Sequence, residues 1–228
     1  RVYALKGHKC KFVFDFFPSL IYNIEGVHLK KTFFMDHGKN TSIIKYTVET
    51  NTPLVLSHIP VVNSRHFYDM TSPGSASFSQ NVLDYGVLVT PSNIDKTLKM
   101  VLKNSCYLPD GYWEELFYRK DKERHDSWRD HNFHVGEFQV PLKKSAEYYL
   151  VFTIEDEQII DPARIYAQEI QRKQHLLSQA MLPRACDKLV LSADSFVVQK
   201  GLGKSIVAGY HWFSDWGRAT LIALPGIT

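Results

Sequence analysis

The chain has 228 residues, 44% of them hydrophobic and 13% aromatic, enough apolar side chain for one large domain or two modest ones. Its net charge of +3 is too small to point to nucleic acid or anionic lipid as a partner. No stretch of the sequence approaches the roughly 20 apolar residues of a membrane-spanning helix, so no membrane partner is expected.

The opening Arg1-Val2-Tyr3 has neither an initiating Met nor a signal-peptide pattern, and it reads as the interior of a longer chain. Cys10, Cys106 and Cys186 lie far apart, and no CxxC or Cys/His ligand spacing links them. That usage predicts reduced thiols and a cytoplasmic protein. Asn40-Thr41-Ser42 is a formal glycosylation sequon, a pattern short enough to arise by chance. The 12 Tyr and 14 Phe suit a β-rich protein or a sugar-binding one, although core packing is the commoner use of a single ring.

Residues 1–155 read as strands. Phe12–Phe16, Ser42–Val48, Leu54–Ile59, Asp84–Val89 and Glu147–Ile154 are short runs rich in β-branched and aromatic residues. Glu25-Gly26, His37–Asn40 and Asn51–Pro53 punctuate them as turns. With no long helix between them, these runs predict an antiparallel β-sandwich. Tyr107 to His134, dense in charges and aromatics, reads as a long, decorated connection.

The texture changes at about Asp156. Asp161-Pro162 is a helix start, with Asp as cap and Pro at the first helical position. One mixed-polarity helix is predicted over Asp161–Met181, within a linker of residues 156–183. A second is predicted over Ala185–Val198, ended by Gly201-Leu202-Gly203. Ser205–Phe213 reads as apolar and irregular, and a further helix begins near Trp216 or Gly217.

Three constellations bear on chemistry. Gly201-Leu202-Gly203-Lys204-Ser205 ends like a phosphate-binding loop, but Val198 stands where that motif needs its first Gly, and an extended run rather than a helix follows. It reads as a helix-ending turn. His125–His134 is dense in metal-ligand residue types, yet their spacing matches no ligand template, and Lys120, Lys122, Arg124 and Arg129 around it predict a solvated, ion-paired loop. No metal is expected. The third is Ala208–Gly226, in which Tyr210, Trp212, Asp215, Trp216 and Arg218 crowd the mouth of the last predicted helix. Flat rings for the apolar face of a pyranose, beside a carboxylate and a guanidinium for its hydroxyls, are the parts of a sugar site. Asp215 alternatively serves as a helix N-cap.

That third segment resembles the start of the catalytic (α/α)6 barrel of glycogen debranching enzymes of the amylo-α-1,6-glucosidase type, whose pattern runs close to A-G-Y-x-W-F-x-D-W-G-R-D-T-x-I-A-L-P-G. Leu189–Val198 resembles the first barrel helix of that family. The front resembles its amino-terminal β-domain through Ile24–Met35, His37–Thr41, Pro60–Phe67, Tyr112-Trp113, Phe117-Tyr118, Glu123-Arg124, Asp126, Asp130, Phe133 and Gly136–Phe138. The resemblance implies a mixed, multidomain architecture: a β-sandwich over 1–155, a linker helix over 156–183, and over 184–228 the start of an (α/α)6 glucosidase domain, truncated at both ends of the chain.

It also implies inverting hydrolysis of α-1,6-glucosidic branch points in glycogen or another α-glucan, with no cofactor and with the general base beyond Thr228. Tyr210, Trp212 and Trp216 would touch sugar, and Asp215 and Arg218 would be polar contacts or supports. One departure stands out. Where the family has Asp after Gly-Arg, this chain has Ala219, with neither an acceptor nor a proton. The chain is therefore expected to be inactive, or to come from a non-catalytic α-glucan-binding or scaffold protein.

Overall fold

The computed structural model describes residues 5, 7–66, 68–156, 160–210 and 213–227. They cluster as two units, residues 1–35 with 40–160 and residues 36–39 with 161–228.

The first unit is built of antiparallel strands. In chain order these are β1 (Cys10–Phe14), β2 (Pro18–Ile24), β3 (Val27–Met35), β4 (Thr41–Glu49), β5 (Leu54–His58), β6 (Val61–Val62), β7 (Phe78–Leu83), β8 (Gly86–Pro91), β9 (Leu98–Leu102), β10 (Cys106–Phe117), β11 (Arg129–Leu142) and β12 (Ala146–Thr153). An eight-stranded sheet runs β1-β2-β3-β4-β12-β9-β8-β7. A smaller sheet runs β10-β11-β5, with β6 also on β11. The sheets share one core, in which Tyr46, Val48, Val87, Met100 and Leu102 of the first meet Val135, Phe138, Val140 and Leu142 of the second. Alternating apolar residues on each strand supply the inner faces, as the pleat requires.

The β2–β3 turn is the two-residue Glu25-Gly26, with Ile24 opposite Val27 and both turn residues at positive φ (48° and 82°). This is the turn whose twist matches a hairpin. Gly136 sits at φ 147°, and a Cβ there would lie 2.4 Å from the Leu108 carbonyl oxygen, so only glycine is accommodated. Opposite it, β10 carries a bulge between Pro109 and Tyr112. Here the inward face of β11 passes from Phe133 and Val135 to Phe138, Val140 and Leu142.

Tyr107–His134 is therefore no connection. It forms the β10–β11 hairpin, closed by the short helix α1 (Arg119–Glu123). The solvated loop expected over His125–His134 becomes strand from Arg129 onward. Asp130 is wholly buried and accepts from Thr71 N (2.7 Å), Arg65 Nη2 (3.0 Å), His131 N (3.0 Å) and the Tyr118 hydroxyl (3.2 Å). Asp130 is not solvated, because partners far away in sequence satisfy it inside the fold. Likewise His58 is enclosed between the sheets, its ring 4.4 Å from that of Tyr46 and its Nε2 3.0 Å from the Tyr148 hydroxyl. Burial, helped by the positive charge of Lys31, pushes its imidazole down to about 4.

The second unit is helical at first. Helix α2 (Pro162–Ala180) starts where the sequence places it, with the Asp161 carboxylate accepting from Arg164 N at 3.1 Å and Met181 closing the helix in the left-handed region. The next helix is shorter than expected. A 3-10 turn (Arg184–Cys186) leads into α3 (Asp187–Phe196), and Val197-Val198 already belong to a strand. Glu169 is buried and binds Arg172, whose guanidinium makes paired hydrogen bonds of 3.0 and 2.8 Å to Asp194, joining α2 to α3. Burial opposes the charge on Asp194, but those bonds prevail and hold its carboxyl below the usual range.

Beyond α3 the chain forms β13 (Val197–Lys200), β14 (Gly203–Gly209) and β15 (Phe213–Asp215), then α4 (Gly217–Ile227). The apolar stretch Ser205–Phe213, read as irregular, is largely strand. Gly201-Leu202 is the turn of a hairpin in which Lys200 faces Gly203, not the end of a helix. Val197, Val198, Ile206 and Val207 are β-branched, and pairing across the hairpin outweighs the weak helical pattern.

Candidate functional site

The site is built from the β13–β14–β15 hairpins and the first turn of α4. β14 and β15 pair through Val207 opposite Asp215 and Gly209 opposite Phe213. The Trp216 carbonyl accepts from Thr220 N at 3.0 Å and from the Thr220 hydroxyl at 3.2 Å, closing the first turn of α4.

Tyr210 is exposed. Its ring lies 5.3 Å from that of Phe196, and its hydroxyl donates to the Ser195 carbonyl, so it ties the end of α3 to the β14–β15 connection. Trp212 lies outside the described residues. Trp216 is 55% exposed, and the Arg218 guanidinium carbon sits 3.8 Å from its ring centroid. That is a cation–π contact, and it covers one face of the indole. Tyr210, Asp215, Trp216 and Arg218 are thus held on adjoining elements of one unit, and Ala219 follows in the first turn of α4.

Asp215 does not cap α4. The residue preceding the helix is Trp216, and the Asp215 carboxylate turns instead to the hairpin. Its Oδ2 accepts from Lys200 Nζ at 2.6 Å and from the Ser205 hydroxyl at 2.7 Å. The Lys200 hydrogen bond above all, then that of Ser205, holds this carboxyl below the usual range. Lys200 and Ser205 lie outside the residues that the sequence motif singles out. Their signal was the β-branched run on either side of Gly201-Leu202-Gly203, which is a hairpin pattern. The loop itself is strand–turn–strand, without the helix that phosphate binding requires.

Among the described residues no group of three or more His, Cys, Asp or Glu side chains converges as a metal cluster. In the ligand-rich segment, His131 Nδ1 meets the Thr71 carbonyl oxygen at 3.1 Å and His134 Nε2 meets Glu114 at 2.5 Å. Among the described residues no helix is long and apolar enough to cross a membrane. Cys10, Cys106 and Cys186 are free thiols.

Comparison with known proteins follows the same division. The family model described as glycogen debranching enzyme N terminal matches residues 2–149, and the one described as amylo-alpha-1,6-glucosidase matches residues 191–228. No curated protein matches the chain significantly. One of the solved structures it matches is described as a kojibiose phosphorylase from the human microbiome, at a TM-score of 0.35 and 9% identity, over 85% of this chain and 26% of that one. The present chain thus spans about a quarter of that protein, and so loose a likeness carries no argument. The family match over residues 2–149 covers most of the chain, which belongs to the glycogen debranching enzyme family.

Proposed function

We propose that the chain supplies the amino-terminal β-sandwich (1–155), a linker helix (156–183) and the opening of the (α/α)6 barrel (184–228) of a cytoplasmic glucosidase. Its substrate class is the α-1,6-linked glucose at a branch point of glycogen or a related α-glucan. The observation that carries this reading is the run Ala208–Gly226, with Trp216 and Arg218 stacked at the mouth of α4. The exposed face of Trp216 takes the apolar face of a glucose ring, Trp212 is a second platform, and Arg218 donates to its hydroxyls. Asp215 is a polar contact or a support for the others. Chemistry of this class needs two carboxylates flanking the scissile bond, one as acid and one as base.

Ala219 supplies neither. A carboxylate at this position would lie in the first turn of α4, where the helix dipole favours negative charge by about 0.3–1 kcal/mol. An acceptor there would hold a sugar hydroxyl with a charged hydrogen bond worth about 1.5–3 kcal/mol. Residues 184–228 also supply only α3 and α4 among their described helices, whereas a closed barrel site draws on helices that return to the first. The purified 228-residue chain accordingly releases no glucose from isomaltosyl or branched-dextrin substrates, before or after Ala219→Asp. Measurable release overturns this.

The same alanine favours a second reading, an α-glucan-binding or scaffold protein without catalysis. A saturable isomaltose response that persists in a barrel-complete chain, with no hydrolysis on restoring Asp, selects it.

A further inference from the structure

Asp215 leaves open which side chains of the segment meet sugar and which hold the others in place. It ends β15 two residues before α4 begins. Both hydrogen bonds to its Oδ2 come from the neighbouring hairpin, Lys200 on β13 and Ser205 on β14. Val198 faces Ser205 and Lys200 faces Gly203 across that hairpin, so its register sets where the two donors stand. The carboxylate is half-buried and turned toward the strands. On its other side the backbone runs directly into Trp216, whose carbonyl closes the first turn of α4 and whose ring carries Arg218.

We propose that Lys200, Ser205 and Asp215 form a tether that fixes the start of α4. In it Asp215 supports Trp216 and Arg218 without touching the sugar, and Lys200 and Ser205 are positioning residues outside the recognised motif. The inference rests on the reading of this segment as a glucose site and assigns the contact with an α-1,6-linked glucose unit to Trp216 and Arg218. It also gives a use to the Gly-Lys-Ser pattern, whose serine donates to a carboxylate where a phosphate loop would bind Mg²⁺. Because Lys200 is largely exposed, the tether gains its strength from geometry and from two donors on one oxygen more than from charge. It follows that Asp215 does not replace the carboxylate missing at position 219.

The test uses the 228-residue chain and four variants: Lys200→Ala, Lys200→Arg, Ser205→Ala and Asp215→Asn. The Asn side chain keeps shape and an acceptor, which guards against a variant that fails to fold, and resonances of the sandwich verify folding in each. NMR follows the ring-current shift that Trp216 imposes on Arg218, the titration of the Asp215 carboxyl, and the shifts induced by isomaltose. In the unsubstituted chain the Arg218 signal should move with the Asp215 titration. Lys200→Ala should raise the midpoint of that titration, remove most of the ring-current shift and weaken isomaltose roughly tenfold. Lys200→Arg should restore all three. An Arg218 signal indifferent to Asp215 titration and to every variant overturns the tether, even where isomaltose binding stands. A coupled Arg218 signal without any isomaltose response, both in this chain and with the segment joined to a complete barrel, keeps the tether, overturns its assignment to a sugar, and with it the proposed site.

Discussion

Residues 40–160 and residues 161–228 bury themselves by different means. In the first, Val48, Val87, Met100, Leu102, Val135 and Phe138 are fully enclosed. Even the carboxyl group of Asp130 is enclosed there, with four donors. In the second, the buried apolar side chains among the described residues are Ile165, Leu191 and Ile206, while Leu189, Leu221 and Ile222 stand at 71%, 70% and 74% exposure. The polar link Glu169–Arg172–Asp194 takes a place that packing holds in the sandwich. The parts that read as chemistry thus lie where the core is thinnest, and the best-packed part holds the network of Asp130. Packing and functional signature are separate properties of this chain, and each can be perturbed alone.

The sharpest perturbation of the sandwich is Phe138→Ala, which leaves a cavity between the two sheets and should cost about 3–5 kcal/mol in urea unfolding. The α2–α3 helical signal should be retained below the new transition. A loss under 1 kcal/mol would show that the inter-sheet core is not what holds this unit.

Acid should also act on the sandwich. The folded imidazole of His58 sits at about 4 against an ordinary 6.5, so the unfolded state binds a proton more readily. Its contribution is fully present above pH 6.5 and is lost progressively as pH falls to 4, by about 3 kcal/mol at most. The groups facing it are Lys31, Tyr46 and Tyr148, and none of them gains stabilising negative charge in that window. Stability measured at steps across pH 4–6.5 should slope in the unsubstituted chain and flatten in His58→Gln. Parallel slopes would place the acid sensitivity elsewhere.

In the second unit Arg172→Met should cost about 2 kcal/mol, since it strands the buried Glu169 and releases Asp194. Arg172→Lys should recover only part, because an ammonium cannot make the paired bonds. Far-UV circular dichroism against temperature distinguishes them. No change in either variant would mean that apolar contacts alone hold α2 to α3.

The strand-rich front and the capped start of α2 were legible in sequence because their signals are local: β-branched runs between turns, and Asp before Pro. The β10–β11 hairpin was not. Its charged and aromatic residues are satisfied by Arg65, Thr71 and Tyr118, contacts that no local pattern announces. At the candidate site the motif named Tyr210, Trp212, Asp215, Trp216 and Arg218. The direction in which Asp215 turns depends on Lys200 and Ser205, 15 and 10 residues earlier, brought in by a hairpin where the local pattern predicts the end of a helix.

Under the proposed function, Ala219 stands where a glucosidase site of this family would carry a carboxylate. That reading is tested most directly by kcat/KM on an α-1,6-linked glucoside, with this segment joined to a complete barrel and position 219 as Ala, Ala219→Asp or Ala219→Asn. The Asp form should exceed the Ala form at least about tenfold, equivalent to about 1.4 kcal/mol, and the Asn form should recover little of it. Equal values in all three would contradict the account.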